Sequence, residues 1–273
     1  MQGLGNDFVV LDHLDGGGEV TPALAAHLAD RRRGVGCDQV VQLRPGTGAA
    51  VPGTARVEMR IFNADGSRAE MCGNAARCVG LYLEGRLAGA PVLTLETLAG
   101  PVTVRRVGEG RYGVDMGPPE LAGEAIPTLW SGLVRDRELA VGGERYAVTA
   151  LSMGNPHCVL FAADAEGFPL ERVGPEVEHH PVFPHRTNVE IVQVLDRRNL
   201  RMRVWERGVG ITPACGTGAC AAGVAAMLHG RADRQVTVHL DGGPLEIHWR
   251  EEDGRVIMTG PATEVFRGVL SLP

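Results

Sequence analysis

The sequence predicts an α/β protein built from two similar halves, and three observations lead there. Short runs of alternating apolar and polar residues recur along the whole chain, as half-buried strands do. Helical patterning is confined to a few segments, two of which follow a Cys-Gly pair. A block of residues in the first half returns in the same order in the second.

The strand-like runs are Phe8 to Leu11, Val57 to Phe62, Val92 to Leu95, Val102 to Arg106, Ala147 to Leu151, Val189 to Val194, Leu200 to Trp205, Val236 to Leu240, Leu245 to Trp249 and Val256 to Met258. Helices are expected over Pro22 to Arg32, with Thr21 as N-cap and proline just inside, and over Ala75 to Glu84 and Ala219 to His229. Gly85 and Gly230 are natural stops for the last two. The Gly/Pro-rich stretch from Gly117 to Pro127 is the expected linker, and 273 residues suffice for two domains. The boundaries expected are 1–116 for the first domain and 117–261 for the second.

The repeat joins these elements. Met59-Arg60-Ile61-Phe62-Asn63 matches Met202-Arg203-Val204-Trp205-Glu206, and the same spacing then leads from Asn63 to Cys72-Gly73 and from Glu206 to Cys215-Gly216. Upstream, Gly5-Asn6 with its strand matches Gly154-Asn155 with its strand, and Gln39 falls on Asn188. The matched positions are mostly polar or cysteine, so preservation of packing alone accounts for them poorly.

Paired halves suggest paired chemistry. Inverting a carbon centre by proton transfer needs a base on one face and an acid on the other, and two copies related by a pseudo-twofold axis supply equivalent groups on opposite sides. Cys72 and Cys215 are the equivalent titratable groups. Each stands just before a helix, whose unpaired N–H donors and partial positive charge favour a thiolate. The amides of Gly73, Asn74, Gly216 and Thr217 can bind a carboxylate there. Cys37, Cys78, Cys158 and Cys220 are read as buried core thiols.

Composition excludes several classes. A net charge of −6 argues against a nucleic-acid partner, and Arg31-Arg32-Arg33 reads as a solvated helix end. All 27 basic residues are arginine, so neither a pyridoxal phosphate Schiff base nor a lysine-bearing phosphate loop can form in its usual way. The cysteine spacings are poor zinc signatures, and no metal is expected. No apolar run approaches the ~20 residues of a membrane span and no leader pattern is visible, so a cytoplasmic location is expected.

Certain segments resemble diaminopimelate epimerases, and the resemblance runs from about Met1 to the C-terminus. They are Gly3-Leu4-Gly5-Asn6-Asp7-Phe8, Asn63-Ala64-Asp65-Gly66 leading to Met71-Cys72-Gly73-Asn74, Gly154-Asn155-Pro156-His157, Glu206-Arg207-Gly208 and Ala214-Cys215-Gly216-Thr217-Gly218-Ala219-Cys220, with Met258-Thr259-Gly260-Pro261-Ala262 near the end. The resemblance implies conversion of LL- to meso-diaminopimelate without a cofactor, on the lysine and cell-wall pathway, with Cys72 and Cys215 as the two thiols. It implies that Glu206 and the Arg207 carbonyl receive the ammonium at the reacting centre. The N–H groups of Gly73, Asn74, Gly216 and Thr217 then hold its carboxylate. Asn63, Asn188 and the Arg207 side chain would recognise the distal amino-acid end, and Asn6, Gln39, Asn155 and His157 would complete the wall.

The same resemblance implies that each half is a curved mixed sheet wrapped around the helix beginning at its Cys-Gly, and that a final strand within 262–273, near Val265 to Leu272, returns to the first half. It allows a homodimer. In one respect the chain departs from the pattern: the residues that usually form a first strand before the methionine matching Met1 are either missing or precede a start placed late, so the N-terminal strand and the stability of the Asn6 loop are not implied by the resemblance. Proline racemases and hydroxyproline epimerases are the nearest alternative, but their substrates lack a distal amino acid. Phenazine-type isomerases lack the paired thiols, and a non-catalytic amino-acid-binding protein has no need of them.

Overall fold

The computed structural model describes residues 1–48, 53–86 and 91–270. The chain forms two compact units, one of residues 1–114 with 259–273, the other of residues 115–258. No helix of the described residues is long and apolar enough to cross a membrane.

The first unit runs β1 (Gln2–Gly3), β2 (Asn6–Asp12), α1 (Pro22–Ala29), β3 (Gln39–Pro45), β4 (Thr54–Asn63), β5 (Arg68–Ala69), α2 (Gly73–Leu83), β6 (Val92–Thr97), β7 (Gly100–Gly108) and β8 (Arg111–Asp115). Strand β2 pairs parallel with β3 and β3 antiparallel with β4; β4 then pairs antiparallel with β5 and parallel with β6. The antiparallel hairpins β6–β7 and β7–β8 follow.

The second unit runs β9 (Arg137–Val141), β10 (Glu144–Ser152), β11 (Pro156–Phe161), α3 (Leu170–Glu178), β12 (Asn188–Asp196), β13 (Asn199–Glu206), β14 (Gly210–Ile211), α4 (Gly216–Leu228), β15 (Gln235–Leu240) and β16 (Gly243–Trp249), and β17 (Val256–Pro261) runs from it into the returning segment. Its central pairings repeat those of the first unit: β11 parallel to β12, β12 antiparallel to β13, β13 antiparallel to β14 and parallel to β15, and β15 antiparallel to β16. Even the register repeats. Phe8 lies opposite Gln39 in the first unit, and His157 lies opposite Asn188, the residue matched to Gln39, in the second.

Helix α4 shows why a sheet can close around it. From Gly218 to Ala226 every residue is buried, and seven of these nine are alanine or glycine. A helix apolar on all sides must be covered on all sides, and α4 touches β10, β11, β12, β13, β15 and β16. Small residues let those strands approach: a Cβ on Gly223 would already sit 3.0 Å from Ile247. Helix α2 packs its Gly80 against Tyr112 and Val104 in the same manner.

Every expected strand but the last is present. Residues 265–270 form no strand; the returning segment is tied to the first unit by the bridge between Gln2 and Thr263, by Ala262 N donating to Gly110 O and by Arg77 Nε donating to Pro261 O, and Leu272 lies outside the described residues. The Thr21 hydroxyl caps α1 by accepting from Leu24 N at 3.2 Å. The helix ends at Ala29, short of Arg32, because the Asp30 carboxylate accepts from the backbone N–H of Arg32 and Arg33 and turns the chain.

Replacing Gly80 by alanine weighs two effects against each other. Helix propensity gains about 1 kcal/mol, whereas a Cβ 2.9 Å from both Tyr112 and Val104 overpacks the contact at a cost of about 1–3 kcal/mol. We expect a net loss, read as a lower urea midpoint; an unchanged midpoint would mean that α2 can back away from β7 and β8.

Candidate active site

In each unit a cysteine occupies the N-cap of the buried helix. Cys72 caps α2 and Cys215 caps α4, both with extended backbone. The first helical bonds run from Ala76 N to the Cys72 carbonyl and from Ala219 N to the Cys215 carbonyl. The N–H groups of Gly73, Asn74, Gly216 and Thr217 therefore precede the hydrogen-bonded turns, as helix geometry requires. A thiol that can take or give a proton stands beside donors suited to an anion.

The first unit surrounds Cys72 with amides. The sulfur lies 3.9 Å from Asn6 Oδ1, which also accepts from Asn74 Nδ2 at 3.3 Å. Gln39 Nε2 donates to Asn63 Oδ1 at 2.9 Å, and Asn63 Nδ2 donates to Ser67 Oγ at 3.0 Å. Two buried acceptors, Gln39 Oε1 and Asn74 Oδ1, have no hydrogen-bond partner among the described residues. Acceptors left over in a buried site suit a ligand that donates, such as an ammonium.

The turn before Asn6 joins the short strand β1 to β2, and side chains hold it. Gly5 N donates to Gln2 Oε1, and Asp38 Oδ2 accepts from both Asn6 Nδ2 and Asp7 N. Arg31 bridges Asp7 and Asp38 at 2.8 Å each. This corrects the reading of Arg31 as merely solvated: it clamps the loop that carries Asn6.

The second unit surrounds Cys215 with carboxylates. Cys215 Sγ accepts from Gly218 N at 3.4 Å and lies 3.5 Å from Thr217 Oγ1. Glu206 is hydrogen-bonded by Thr212 Oγ1. Glu190 is wholly buried and meets His157 Nδ1 at 2.6 Å, while His157 Nε2 lies 3.0 Å from Asn155 Oδ1. His157 is itself wholly buried, with both ring nitrogens engaged, so its part is to support Asn155 rather than to face a ligand. Asn188 is likewise committed to backbone: Nδ2 donates to Pro156 O, and Oδ1 accepts from Arg207 N at 2.9 Å. The Arg207 guanidinium donates to His185 O at 3.2 Å.

Electrostatics in the second unit run against the helix end. Burial, then the nearby Glu206 and Glu190 carboxylates, push the Cys215 thiol well above its ordinary value, and the bonds from Thr217 and Gly218 recover only part. Burial likewise raises Glu206, against the pull of Thr212 and Cys215. The helix end was expected to favour a thiolate; at Cys215 burial and the two carboxylates outweigh that pull. Cys37, Cys78, Cys158 and Cys220 are buried as expected, and burial pushes Cys78 up to about 12.

Sequence reading missed Arg31, Asp38, Thr212, Glu190 and the α3 residue Glu178. Their common signal was faint, a charged or hydroxyl residue close in sequence to, or opposite, a residue already singled out.

The family model described as diaminopimelate epimerase matches residues 1–122 and 149–265. A diaminopimelate epimerase of Magnetococcus marinus is 61% identical over 270 residues, covering 99% of this chain and 95% of its own. Among solved structures, a Bacillus anthracis phenazine biosynthesis protein of the PhzF family aligns with a TM-score of 0.65 at 17% identity, covering 96% of this chain and 92% of that one. A hydroxyproline epimerase from Agrobacterium vitis aligns at 0.62 and 16%, covering 95% and 86%. These two likenesses are of fold.

Iodoacetamide should label Cys72, which is partly exposed, before Cys215, which is 5% exposed. Because its folded pKa is raised, Cys215 should label at neutral pH more slowly than an unstructured cysteine and continue to speed up above pH ~8.5. Peptide mass spectrometry across a pH series reads both. Faster labelling of Cys215 than of a free thiol at pH ~7 would overturn the electrostatic account.

Proposed function

The chain belongs to the diaminopimelate epimerase family, and on that premise we propose that it converts LL-2,6-diaminopimelate to the meso form with Cys72 and Cys215 as opposed acid and base and no cofactor. It is an amino-acid epimerase, an isomerase. The product serves lysine and peptidoglycan precursor synthesis. The observation that carries the two-base reading is the repeat itself: a Cys-Gly at the N-cap of the buried helix in both units, after the same strand order and register.

The chemistry follows from the residues. A thiolate on one face removes the α-proton, and the thiol on the other returns a proton to the opposite face of the same carbon. Each turnover exchanges the protonation of the two sulfurs, and exchange with water resets them. Charge that develops toward the substrate carboxylate is met by the N–H groups of Gly73, Asn74, Gly216 and Thr217. Glu206, raised in pKa but hydrogen-bonded by Thr212, receives the reacting ammonium with the Arg207 carbonyl. The unpartnered oxygens of Gln39 and Asn74 support a site for a donor-rich zwitterion. Asn63, Asn188, which accepts from the Arg207 backbone N–H, and the Arg207 side chain serve the distal end; Asn6 and Asn155, the latter braced by His157, complete the wall. Absence of lysine from the chain supports chemistry without pyridoxal phosphate. We assign Cys72 to a domain of residues 1–116 with the 262–273 return and Cys215 to one of 117–261, in a cytoplasmic homodimer.

Two experiments test this reading. In deuterated water, product formed from either isomer should carry deuterium at the inverted carbon while early remaining substrate stays unlabelled; return of the original hydrogen to product would indicate a single base. Cys72→Ser and Cys215→Ser should each lose epimerisation by a factor of about a hundred or more, since serine is a far poorer base. Each should still eliminate halide from a halogenated analogue of one configuration only. Second, Arg207→Lys keeps the charge and loses the planar fork, so kcat/KM should fall roughly tenfold to a hundredfold with the unfolding midpoint held. Wild-type kinetics would make Arg207 structural.

A further inference from the structure

Glu178 is an anomaly by elementary rules. It is the last residue of α3, where the helix dipole disfavours an anion, yet its side chain is only 2% exposed. A buried carboxylate at a helix C-terminus requires strong partners, and it has two. Oε2 accepts from the Trp205 indole Nε1 at 2.7 Å, and Oε1 accepts from the backbone N–H of Gly208 at 2.8 Å. The cations nearby are looser and half exposed: Arg186 at 3.7 Å and His179 at 3.9 Å.

The two donors bracket the segment that matters. Trp205 and Gly208 stand on either side of Glu206 and Arg207, in a tight hairpin where Gly208 has φ +77° and Gly210 has φ +101°. The indole is also fixed from its face, because α3 presents Gly174 there and a Cβ at that position would lie 2.7 Å from Trp205 Cγ. We infer that Glu178 is a positioning residue of the substrate site: one buried carboxylate, by holding the Trp205 side chain and the Gly208 backbone together, fixes the direction of the Glu206 carboxylate and the Arg207 carbonyl between them. Asn188 adds a third hold at Arg207 N. The inference rests on the substrate roles proposed above for Glu206 and Arg207.

The carboxylate is specific for this task. It offers an acceptor to each donor at once, whereas a glutamine in the same place has one oxygen and one NH2. Glu178→Gln therefore turns an NH2 toward either the indole N–H or the Gly208 N–H. A donor left without an acceptor in a buried site costs about tenfold to a hundredfold in the affected equilibrium, and we expect kcat/KM for diaminopimelate to fall by that factor, mainly through KM.

The decisive variant is Glu178→Gln combined with Trp205→Phe. Phenylalanine removes one donor, so the glutamine oxygen can serve Gly208 alone. The double variant should recover at least about fivefold of the kcat/KM lost by Glu178→Gln while being no more thermostable than it. Hydrogen exchange of a peptide spanning 206–212 should rise in Glu178→Gln and fall back in the double variant, a readout that needs no turnover. If Glu178→Gln does not fold, Glu178→Asp keeps the charge but shortens the reach, and should show the same rise in exchange and KM to a smaller degree. Wild-type exchange and KM in whichever single variant folds would overturn the proposal. So would a double variant whose activity falls further in step with its stability. A wild-type protein that does not epimerise diaminopimelate would instead sink the functional reading, leaving the exchange result to judge the clamp by itself.

Discussion

The backbone N–H groups that open α2 and α4 are the constraint on which most of the structure turns. A helix start cannot satisfy its first donors from within, and in both units it lies at a buried helix whose later residues are covered by strands. Such donors must be met by a side chain, water or a ligand. The residue at each N-cap is a cysteine, and on Cys215 the sulfur itself accepts from Gly218 N. Small residues follow, because the sheet must approach the helix closely and because anything bulky would cover the donors. A Cβ on Gly218 would come within 2.8 Å of the Glu190 carboxylate and 3.2 Å of the Cys215 sulfur.

Around that shared constraint the two units have diverged in charge. The first holds neutral amides: Asn6, Gln39, Asn63 and Asn74. The second holds acids and a histidine at or near matched positions: Glu206 where the first has Asn63, and His157 where the first has Phe8, with Glu190 beside it. Amides accept and donate without a desolvation penalty as large as that of a buried ion. The carboxylates of the second unit carry that penalty, and each has specific partners: Thr212 for Glu206, His157 for Glu190, Trp205 and Gly208 for Glu178. Burial first, then the nearby Glu206 and Glu190 carboxylates, push the Cys215 thiol above its ordinary value. Two cysteines that look alike in sequence thus sit in unlike surroundings.

Most of the polar groups stand at or near strand ends, and two of the turns beside them are fixed by partners distant in sequence. The Asn6 loop depends on Arg31 and Asp38 beyond α1. The Glu206–Arg207 hairpin depends on Glu178 and Asn188. Exposed pairs such as Arg31 with Asp7 contribute little stability on their own; what they contribute here is a fixed geometry over a loop containing two residues of positive φ, Leu4 and Gly5.

Strands Val57 to Phe62 and Leu200 to Trp205, the helices after both Cys-Gly pairs and the internal repeat were all legible in the sequence, because alternation, small-residue runs and spacing are local properties. The same locality brought out Cys72, Cys215 and the amides of the motifs. Helix α3 was not among the helices expected: it carries Gly174 and Pro175 in its middle, and Gly174 packs on the Trp205 ring, a contact that sequence does not reveal. The upward shift of Cys215 was also out of reach, since it comes first from burial and then from Glu206 and Glu190, which depend on what packs around the sulfur. Sequence by itself determined the two-unit α/β pattern and the positions of the thiols. Tertiary structure alone decided which carboxylates are buried beside Cys215 and which distant side chains hold each loop, because desolvation and charge depend on neighbours in space.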